Sequence, residues 1–145
     1  MIIAFACDHA GFPFRGDIIN HLTELGHEVI DYGPKNLDPL DDFPDYAHIV
    51  CESIATSKAQ KGVLVCGTGI GMSIAANKFK NIRAVLSYSP EIAKISRSHN
   101  DTNVACFGAR TMNIGDVLDS LDVFFNTDFL GGKYQARNDK IDSTC

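Results

Sequence analysis

The sequence predicts an α/β protein, a three-layer α/β/α sandwich built on a five-stranded parallel sheet. Short apolar runs rich in Ile and Val alternate with longer segments of helical periodicity, which is typical of βαβ units. A polar or glycine-bearing segment follows each apolar run, as expected where parallel strands end at a common rim. With 145 residues, 45% of them apolar, the chain is expected to fold as one Rossmann-like domain.

Five strands are predicted from the apolar runs, in the order in which they occur. They cover residues 2–7, 27–31, 62–66, 83–87 and 103–107, and the segments that close them are residues 8–11, 32–34, 67–69, 88–90 and 108–110. Each run has the length of a strand, and each closing segment contains residues that favour turns. This regular spacing predicts a single sheet.

Five helices are predicted after these strands, at residues 13–25, 44–58, 70–79, 90–98 and 113–127. The segment 34–44, rich in proline and aspartate, is predicted to be a long loop, and such loops often line functional sites. The polar tail, residues 131–145, shows some helical tendency. The sequence leaves open whether this tail packs on its own chain or on a neighbouring chain.

The charge balance and the cysteines indicate the kind of partner and the cellular compartment of the protein. The chain has 13 Lys and Arg against 18 Asp and Glu, a net charge of -5 that disfavours nucleic acid and anionic membranes as partners. No signal-peptide pattern and no apolar stretch of about eighteen residues occurs, so neither export nor membrane insertion is expected. The five cysteines lack C-x-x-C spacing, which is typical of reduced thiols. We expect a cytoplasmic protein that binds a small molecule.

The motif VLVCGTGIGMS, residues 63–73, leads a strand through a glycine-rich turn into a helix, where backbone N–H groups attract anions. A dinucleotide-binding fingerprint needs a small residue where Met72 stands and an acidic residue near the end of the next strand, where the chain reads LSYS, and both are missing. A thiol phosphatase loop needs arginine at the position of Met72. In the remaining interpretation Cys66 is a base or nucleophile, because a helix N-terminus favours the thiolate form. The alternative is a small cysteine that only packs in the core.

A second polar motif, SRSHNDTN at residues 96–103, places His99 and Asn100 just before the fifth predicted strand. A histidine there can exchange protons near neutral pH. The alternative interpretation is a helix cap or a surface residue. Among the other histidines, His9 is the strongest candidate, because it follows the first strand beside Asp8 on the predicted rim.

Three positively charged residues are further candidates: Arg110 after the fifth strand, and Lys133 and Arg137 in the tail. Such groups near one rim suit a phosphate monoester, although solvated surface charges are the alternative. No His, Cys, Asp or Glu group shows zinc or iron spacing, and no carboxylate pair is clearly placed for magnesium. We therefore expect no metal and no cofactor.

Six motifs together resemble the B-type ribose-5-phosphate isomerase family over nearly the whole chain. They are CDHAGF (7–12), CGTGIGMSIAANKF (66–79), IRAV (82–85), SRSHNDTNV (96–104), FGAR (107–110) and GGKYQAR (131–137), in the order and spacing of that family. The resemblance implies the strand order 2-1-3-5-4. It also implies an aldose–ketose isomerase that interconverts ribose 5-phosphate and ribulose 5-phosphate in the non-oxidative branch of the pentose phosphate pathway. The alternatives are the same chemistry on allose 6-phosphate, a six-carbon sugar, and a sugar-phosphate sensor without catalysis.

The resemblance further implies roles for three catalytic residues. His99 would pass a proton to the ring oxygen and so open the sugar. Cys66 would then take the proton from C2 and return it to C1 through a cis-enediolate. Thr68 and the amides of the glycine turn would stabilise the oxyanion, which is usually the largest catalytic contribution.

Substrate binding is also implied by the resemblance, at Asp8, His9, Gly67, Gly69, Ile70, Gly71, Asn100, Arg110, Lys133 and Arg137. Of these residues, His9, Arg110, Lys133 and Arg137 would contact the phosphate. Asp8 would bind the sugar hydroxyls, and the glycine turn would receive the reacting end of the sugar. In the family the tail reaches the site of a partner subunit, which implies a homodimer or tetramer with shared sites.

The chain departs from the family pattern at three positions. Lys133 and Tyr134 stand where the family has arginine and histidine, so a bidentate guanidinium becomes a point charge and the role of the second position is open. Phe43 stands where many members have tyrosine and removes a hydroxyl near the sugar ring. Ring opening would then depend more on His99 and Asp8.

Overall fold

The computed structural model describes residues 1–144, and Cys145, the last residue of the predicted tail, lies outside the described residues. The sheet has five strands: β1 (Ile2–Cys7), β2 (Glu28–Asp31), β3 (Lys61–Cys66), β4 (Ala84–Leu86) and β5 (Val104–Gly108). Neighbouring strands pair in parallel, in the order β2-β1-β3-β5-β4. The predicted fold class and the strand order implied by the resemblance are both confirmed.

Helices cover both faces of this sheet. They are α1 (Arg15–Glu24), α2 (Phe43–Ala55), α3 (Ile70–Ala76), α4 (Pro90–Asn100), α5 (Ile114–Asn126) and α6 (Lys133–Asp142). A short 3-10 turn, Phe12–Phe14, precedes α1, so the predicted helix at 13–25 is divided in two. The tail forms α6. Within residues 1–144, no helix has the length and apolar character that crossing a membrane requires.

The central strands face two separate cores, one on each side of the sheet. Successive strand residues point to opposite faces. Val63 and Val65 therefore pack with α1, α4 and α5, whereas Leu64 and Cys66 pack with α2 and α3. All four residues are at most 5% exposed. Burial on both faces explains why β3 is an unbroken apolar run after its first residue, Lys61.

The strands begin at one rim of the sheet, which we call the amino edge, and end at the opposite rim, the carboxyl edge. Backbone hydrogen bonds join two segments of the carboxyl edge. The N–H of Ala109 donates to the carbonyl of Cys66, and the N–H of Arg110 donates to the carbonyl of Gly67, both at 2.9 Å. The loop after β5 is thereby held against the turn after β3.

The outer side of the edge strand β4 is occupied by the side chain of Asn77, which follows α3. Its Nδ2 donates to the carbonyl of Ala84, and the N–H of Ala84 donates to its Oδ1, both at 2.9 Å. The amide group therefore pairs with the strand as a neighbouring backbone would. Both backbone groups of Ala84 are satisfied in this way.

Lys61 begins β3 at the amino edge, with its ammonium group over two aromatic rings of α5. Its Nζ lies 5.4 Å from the centre of the Phe124 ring and 5.9 Å from that of Phe125. Burial, and then the positive charge of Arg97, lower the pKa of Lys61 to about 8, although nearby carboxylates act in the opposite direction. The charged form of Lys61 therefore costs stability.

Lys61→Met is expected to raise the free energy of unfolding near pH 7 by about 1 kcal/mol, after allowance for solvent screening of a partly exposed group. In the unfolded chain the lysine pKa is 10.5, so between about pH 8 and that value the unfolded chain holds more protons than the folded protein. The free energy of unfolding of the wild type therefore increases over this pH range, and the difference between the variant and the wild type becomes smaller. Urea unfolding near pH 7 and near pH 10 measures both values, with the exposed Lys58→Met as control. An equal advantage at both pH values would contradict this explanation.

Candidate active site

Cys66 lies at the carboxyl edge, where β3 ends and the chain turns into α3. The residue is 5% exposed, and its Sγ accepts a hydrogen bond from the N–H of Gly69 at 3.1 Å. Thr68 lies between them and is exposed, and its Oγ1 accepts a hydrogen bond from the N–H of Ile70 at 3.3 Å. The turn therefore holds the sulfur at its lip with a backbone amide directed at it.

Close packing around the turn requires two of its glycines. A Cβ on Gly69 would lie 2.6 Å from Cδ1 of Leu86 and 2.9 Å from the carbonyl carbon of Phe107, and φ at this residue is +76°. A Cβ on Gly71 would lie 2.6 Å from Cζ of Phe43. A larger residue would push the turn away from β5 or displace the Phe43 ring, so the motif is glycine-rich for a steric reason.

Asp8 and His9 follow β1 on the same rim. Asp8 is 5% exposed, and its Oδ1 accepts hydrogen bonds from the N–H groups of Ala10 and Gly11 at 2.9 and 3.0 Å. The N–H of His9 donates to Oδ1 of Asp41 at 3.0 Å, and Nδ1 of His9 lies 2.6 Å from the same oxygen. Asp41 is a functional candidate that sequence reasoning missed. It lies in the predicted loop, but its partner is 32 residues away and nothing in the loop composition singles it out.

The charge states of Asp41 and its neighbour Tyr46 follow from these contacts. Burial raises the pKa of Asp41, but hydrogen bonds from the backbone and the side chain of His9 outweigh burial, and the pKa falls below its ordinary value of 3.8. Burial and the nearby Asp41 carboxylate raise the pKa of Tyr46 to about 12. Asp41 is therefore a carboxylate at neutral pH. Because a carboxylate only accepts hydrogen bonds, Nδ1 of His9 carries the proton and Nε2 is left for a ligand.

Arg110 follows β5 and packs over the glycine turn. Its Cδ lies 3.3 Å from the point that a Cβ on Gly67 would occupy, and the residue is exposed. The carboxyl edge thus brings together one group of predicted site residues. We call this group the thiol cluster: Asp8, His9, Cys66, Gly67, Thr68, Gly69, Ile70, Gly71 and Arg110.

His99 and Asn100 lie at the opposite, amino edge, because α4 runs antiparallel to the strands. The helix starts at the carboxyl edge after β4 and extends for 11 residues, roughly 16 Å at the rise of an α-helix, before β5 begins. At the amino edge, Nε of Arg83, which precedes β4, donates to the carbonyl of Asn100 at 2.7 Å. One chain therefore holds His99 and Cys66 at different ends of the sheet.

The tail helix α6 packs beside the end of α4. Nδ2 of Asn138 donates to the carbonyl of His99 at 3.3 Å, and Nη1 of Arg83 donates to Oδ2 of Asp142 at 2.9 Å. The ring of Tyr134 is stacked on that of His99. A second group of predicted residues, with Tyr134, thus gathers at this edge. We call it the histidine cluster: His99, Asn100, Lys133, Tyr134 and Arg137.

Four cysteines of residues 1–144, namely Cys7, Cys51, Cys66 and Cys106, are free and buried. Burial raises the pKa of Cys51 to about 12, and burial followed by the charge of Asp31 raises that of Cys7 to about 12. Burial also raises the pKa of Cys106 well above its ordinary value. These three thiols stay protonated near neutral pH, and Cys66 is the one that lies in the glycine turn.

The carboxyl edge contains one group that could hold a cation among the residues that the structure describes. Ligand atoms of Asp8, His9 and Asp41 lie within 4.8 Å of one another. However, Oδ1 of Asp8 already accepts hydrogen bonds from the N–H groups of Ala10 and Gly11. Oδ1 of Asp41 accepts one from the N–H of His9 and lies within hydrogen-bonding distance of its Nδ1. Within the described part of the chain, Oδ2 of Asp41 is buried without a hydrogen-bond partner, so the network satisfies the group only in part, and the absence of a metal stays a prediction.

Comparison with known proteins identifies the family. The family model described as Ribose/Galactose Isomerase matches residues 3–141. The chain belongs to the ribose/galactose isomerase family. This match confirms the resemblance found in the motifs and the expectation that the chain is an isomerase.

Named relatives of the ribose/galactose isomerase family match the chain over nearly its full length. Ribose-5-phosphate isomerase B of Escherichia coli is 44% identical over 139 residues, which cover 96% of this chain and 93% of that protein. The probable ribose-5-phosphate isomerase B of Mycoplasma pneumoniae is 39% identical over 139 residues, covering 96% of this chain and 91% of that protein. The likeness therefore includes both clusters.

Solved structures of the family have the same fold. Ribose-5-phosphate isomerase B of Clostridium thermocellum has a TM-score of 0.96 and 35% identity, and the match covers 99% of this chain and 97% of that chain. The enzyme from Mycoplasma genitalium, solved with bound ribulose-5-phosphate, has a TM-score of 0.94 and 36% identity, with 99% and 95% covered. These likenesses extend over the carboxyl and the amino edge alike.

Proposed function

We propose that the protein interconverts ribose 5-phosphate and ribulose 5-phosphate as an aldose–ketose isomerase. The observation that carries this proposal is the position of Cys66, whose Sγ lies 3.1 Å from the N–H of Gly69 at the lip of the glycine turn. Asp8 and His9 lie on the same rim, where parallel sheets bind their ligands. The names of the relatives, and the ribulose-5-phosphate bound to the Mycoplasma genitalium enzyme, support the choice of a five-carbon sugar phosphate.

The proposed reaction moves one proton between neighbouring carbons. After the ring has opened, the thiolate of Cys66 takes the proton from C2, and the electron pair of the C–H bond forms the double bond of a cis-enediolate. Cys66 then returns the proton to C1, and the hydroxyl proton of O2 passes to O1 as O2 becomes the carbonyl oxygen of the ketose. Thr68 and the amides of the turn stabilise the negative oxygen during these steps. When the ring opens, the bond between C1 and the ring oxygen breaks, His99 supplies a proton to the ring oxygen, and the C1 hydroxyl gives up its proton to water as the C1 carbonyl forms.

Two copies of the chain are required for this mechanism, because one copy holds the thiol cluster and the histidine cluster at opposite edges. We infer a homodimer, which can pair further into a tetramer, in which the histidine cluster of one copy faces the thiol cluster of the other. The phosphate would then lie between His9 and Arg110 of one copy and Lys133 and Arg137 of the other. Without a second copy, the thiol would lack its partner for ring opening.

Apolar residues beside the thiol cluster support such an interface. Ile70 and Ile74, one turn apart on α3, are 51% and 57% exposed, and Phe43 is 36% exposed. An apolar patch at the mouth of a site is typical of a surface that another protein covers. A second copy that contributes the histidine cluster would cover this patch.

The test is turnover of ribose 5-phosphate to ribulose 5-phosphate by the purified protein in EDTA, with allose 6-phosphate as second substrate. We expect turnover of ribose 5-phosphate that EDTA does not reduce. A higher kcat/KM for allose 6-phosphate would favour the six-carbon alternative. If the folded protein turned over neither sugar, the isomerase proposal would fail, and binding of ribose 5-phosphate by calorimetry would then favour a sensor.

Asp41→Asn is expected to raise the KM for ribose 5-phosphate about tenfold, with a smaller effect on kcat. The amide no longer holds His9 through a charge-assisted hydrogen bond, so the imidazole loses its fixed orientation toward the phosphate. Steady-state kinetics measures both constants. Asp42→Asn, at the exposed neighbouring aspartate, is the matched control. Equal KM values for the two variants would show that Asp41 does not act through His9.

A further inference from the structure

Tyr134 contacts three members of the histidine cluster with one aromatic ring. The centre of its ring lies 4.1 Å from that of His99, and the two planes differ by only 9°. Nζ of Lys133 lies 5.2 Å from the centre of the Tyr134 ring, and Cζ of Arg137 lies 5.8 Å from it. The three contacted groups are those assigned above to ring opening and to phosphate binding.

We propose that Tyr134 is a positioning residue, whose ring fixes the His99 imidazole and gathers Lys133 and Arg137 into one cationic surface for the sugar phosphate. The inference rests on the proposed function and assigns a role to one of the three positions where the chain departs from the family pattern. It concerns the face of the ring, not the hydroxyl. The substrate atoms themselves are contacted by the three neighbours.

The Tyr134 ring restrains the orientation of the His99 imidazole. Within residues 1–144, the carbonyl of His99 is hydrogen-bonded to Asn138, whereas its imidazole nitrogens have no hydrogen-bond partner. A partly exposed imidazole with no such partner can rotate about two side-chain torsions. The stack on Tyr134 restrains this rotation and leaves both nitrogens free for the sugar. A proton donor that is held in one orientation before the substrate binds lowers the reaction barrier more than a mobile donor does.

The Tyr134 ring also contacts two groups of like charge, on Lys133 and Arg137. Lys133 and Arg137 are four residues apart on α6, so two like charges lie on one helix face and repel each other. The electron-rich face of an aromatic ring attracts cations. The Tyr134 ring lies close to both groups and thus offsets their repulsion. The cationic surface can then form before the phosphate binds.

Three variants at this position separate the ring from the hydroxyl and from simple bulk. We expect Tyr134→Ala to lower kcat/KM for ribose 5-phosphate about tenfold, the upper range for loss of an aromatic pair. Tyr134→Phe keeps the ring and should restore kcat/KM to within about twofold of wild type, since the contacts use the face of the ring. Tyr134→Leu keeps apolar bulk on a helix former, so it should fold and still show the loss.

Proton–carbon NMR of the imidazole gives a readout that does not depend on turnover. Loss of the stacked ring should move the His99 ring-proton signals downfield in Tyr134→Ala and in Tyr134→Leu, and Tyr134→Phe should leave them near their wild-type positions. Unchanged signals in Tyr134→Ala would overturn the inference. Wild-type kcat/KM in Tyr134→Leu would overturn it too, because bulk alone would then suffice. A wild-type protein without activity would instead overturn the proposed function, and the NMR signals would still decide whether Tyr134 holds His99.

Discussion

Cys66→Ala is expected to lower kcat for ribose 5-phosphate about 10³-fold, in the range that general bases contribute. The variant should keep the glycine turn and the fold but lacks the group that we propose takes the proton from C2. Binding should change little, because the phosphate contacts assigned above lie on other residues. Steady-state kinetics and calorimetric binding of ribose 5-phosphate measure the two quantities separately.

Cys51→Ala is the matched control, since this buried thiol lies in the same core as Cys66 and burial raises its pKa to about 12. It should lower stability and leave kcat near the wild-type value. Alkylation provides a second measurement. In a Cys145→Ser background, which removes the thiol of the last residue, iodoacetamide should modify Cys66, and ribose 5-phosphate should protect it. Turnover by Cys66→Ala near the wild-type rate would rule out the thiol as the base.

Mixing two inactive variants, Cys66→Ala and His99→Ala, is expected to restore activity. In a mixed dimer, one of the two sites combines the intact thiol cluster of one copy with the intact histidine cluster of the other. With random pairing at equal amounts, about a quarter of the wild-type activity should return. The recovery should follow the rate at which subunits exchange, which native mass spectrometry can follow beside the assay.

A matched mixture tests the geometry behind this recovery. Cys66→Ala and Arg110→Ala both damage the thiol cluster, so every site of their mixed dimer contains a defect and activity should stay low. If the Cys66→Ala and His99→Ala mixture stayed inactive while mass spectrometry showed mixed dimers, the proposal of a site shared between two copies would be wrong. Each chain would then have to complete its own site by bringing its two clusters together.

Much of the fold could be predicted because local sequence determines it. The predicted strand at residues 2–7 matches β1, since a run of buried apolar residues has clear limits where Asp8 follows. β4 is shorter than predicted, covering Ala84–Leu86. At its start, Arg83 turns its side chain to the carbonyl of Asn100, a contact that spans 17 residues along the sequence. Boundaries of this kind depend on tertiary contacts that a local pattern does not contain.

The candidate site was only partly predictable for the same reason. The glycine turn around Cys66 is a continuous motif, and its residues lie together because they are neighbours in sequence. His99 and Cys66 belong to separate motifs, and their placement at different edges follows only when the direction of α4 is taken into account. Asp41 and Tyr134 are defined by contacts with His9 and His99 in space. The family resemblance marks Tyr134 as a departure but does not show its contact with His99, and no property of Asp41 in the sequence sets that residue apart.

The bridge between Asn77 and Ala84 has a consequence for how the protein can associate. An edge strand with free amide and carbonyl groups can form hydrogen bonds with a strand of another molecule. Such pairing extends the sheet and is a common route to aggregation. At Ala84 both groups are already occupied by the Asn77 side chain. Continuous sheet growth across this side of β4 is therefore blocked at its first residue. A contact between copies on this side of the sheet would have to be made through side chains at Ala84, and not through strand pairing.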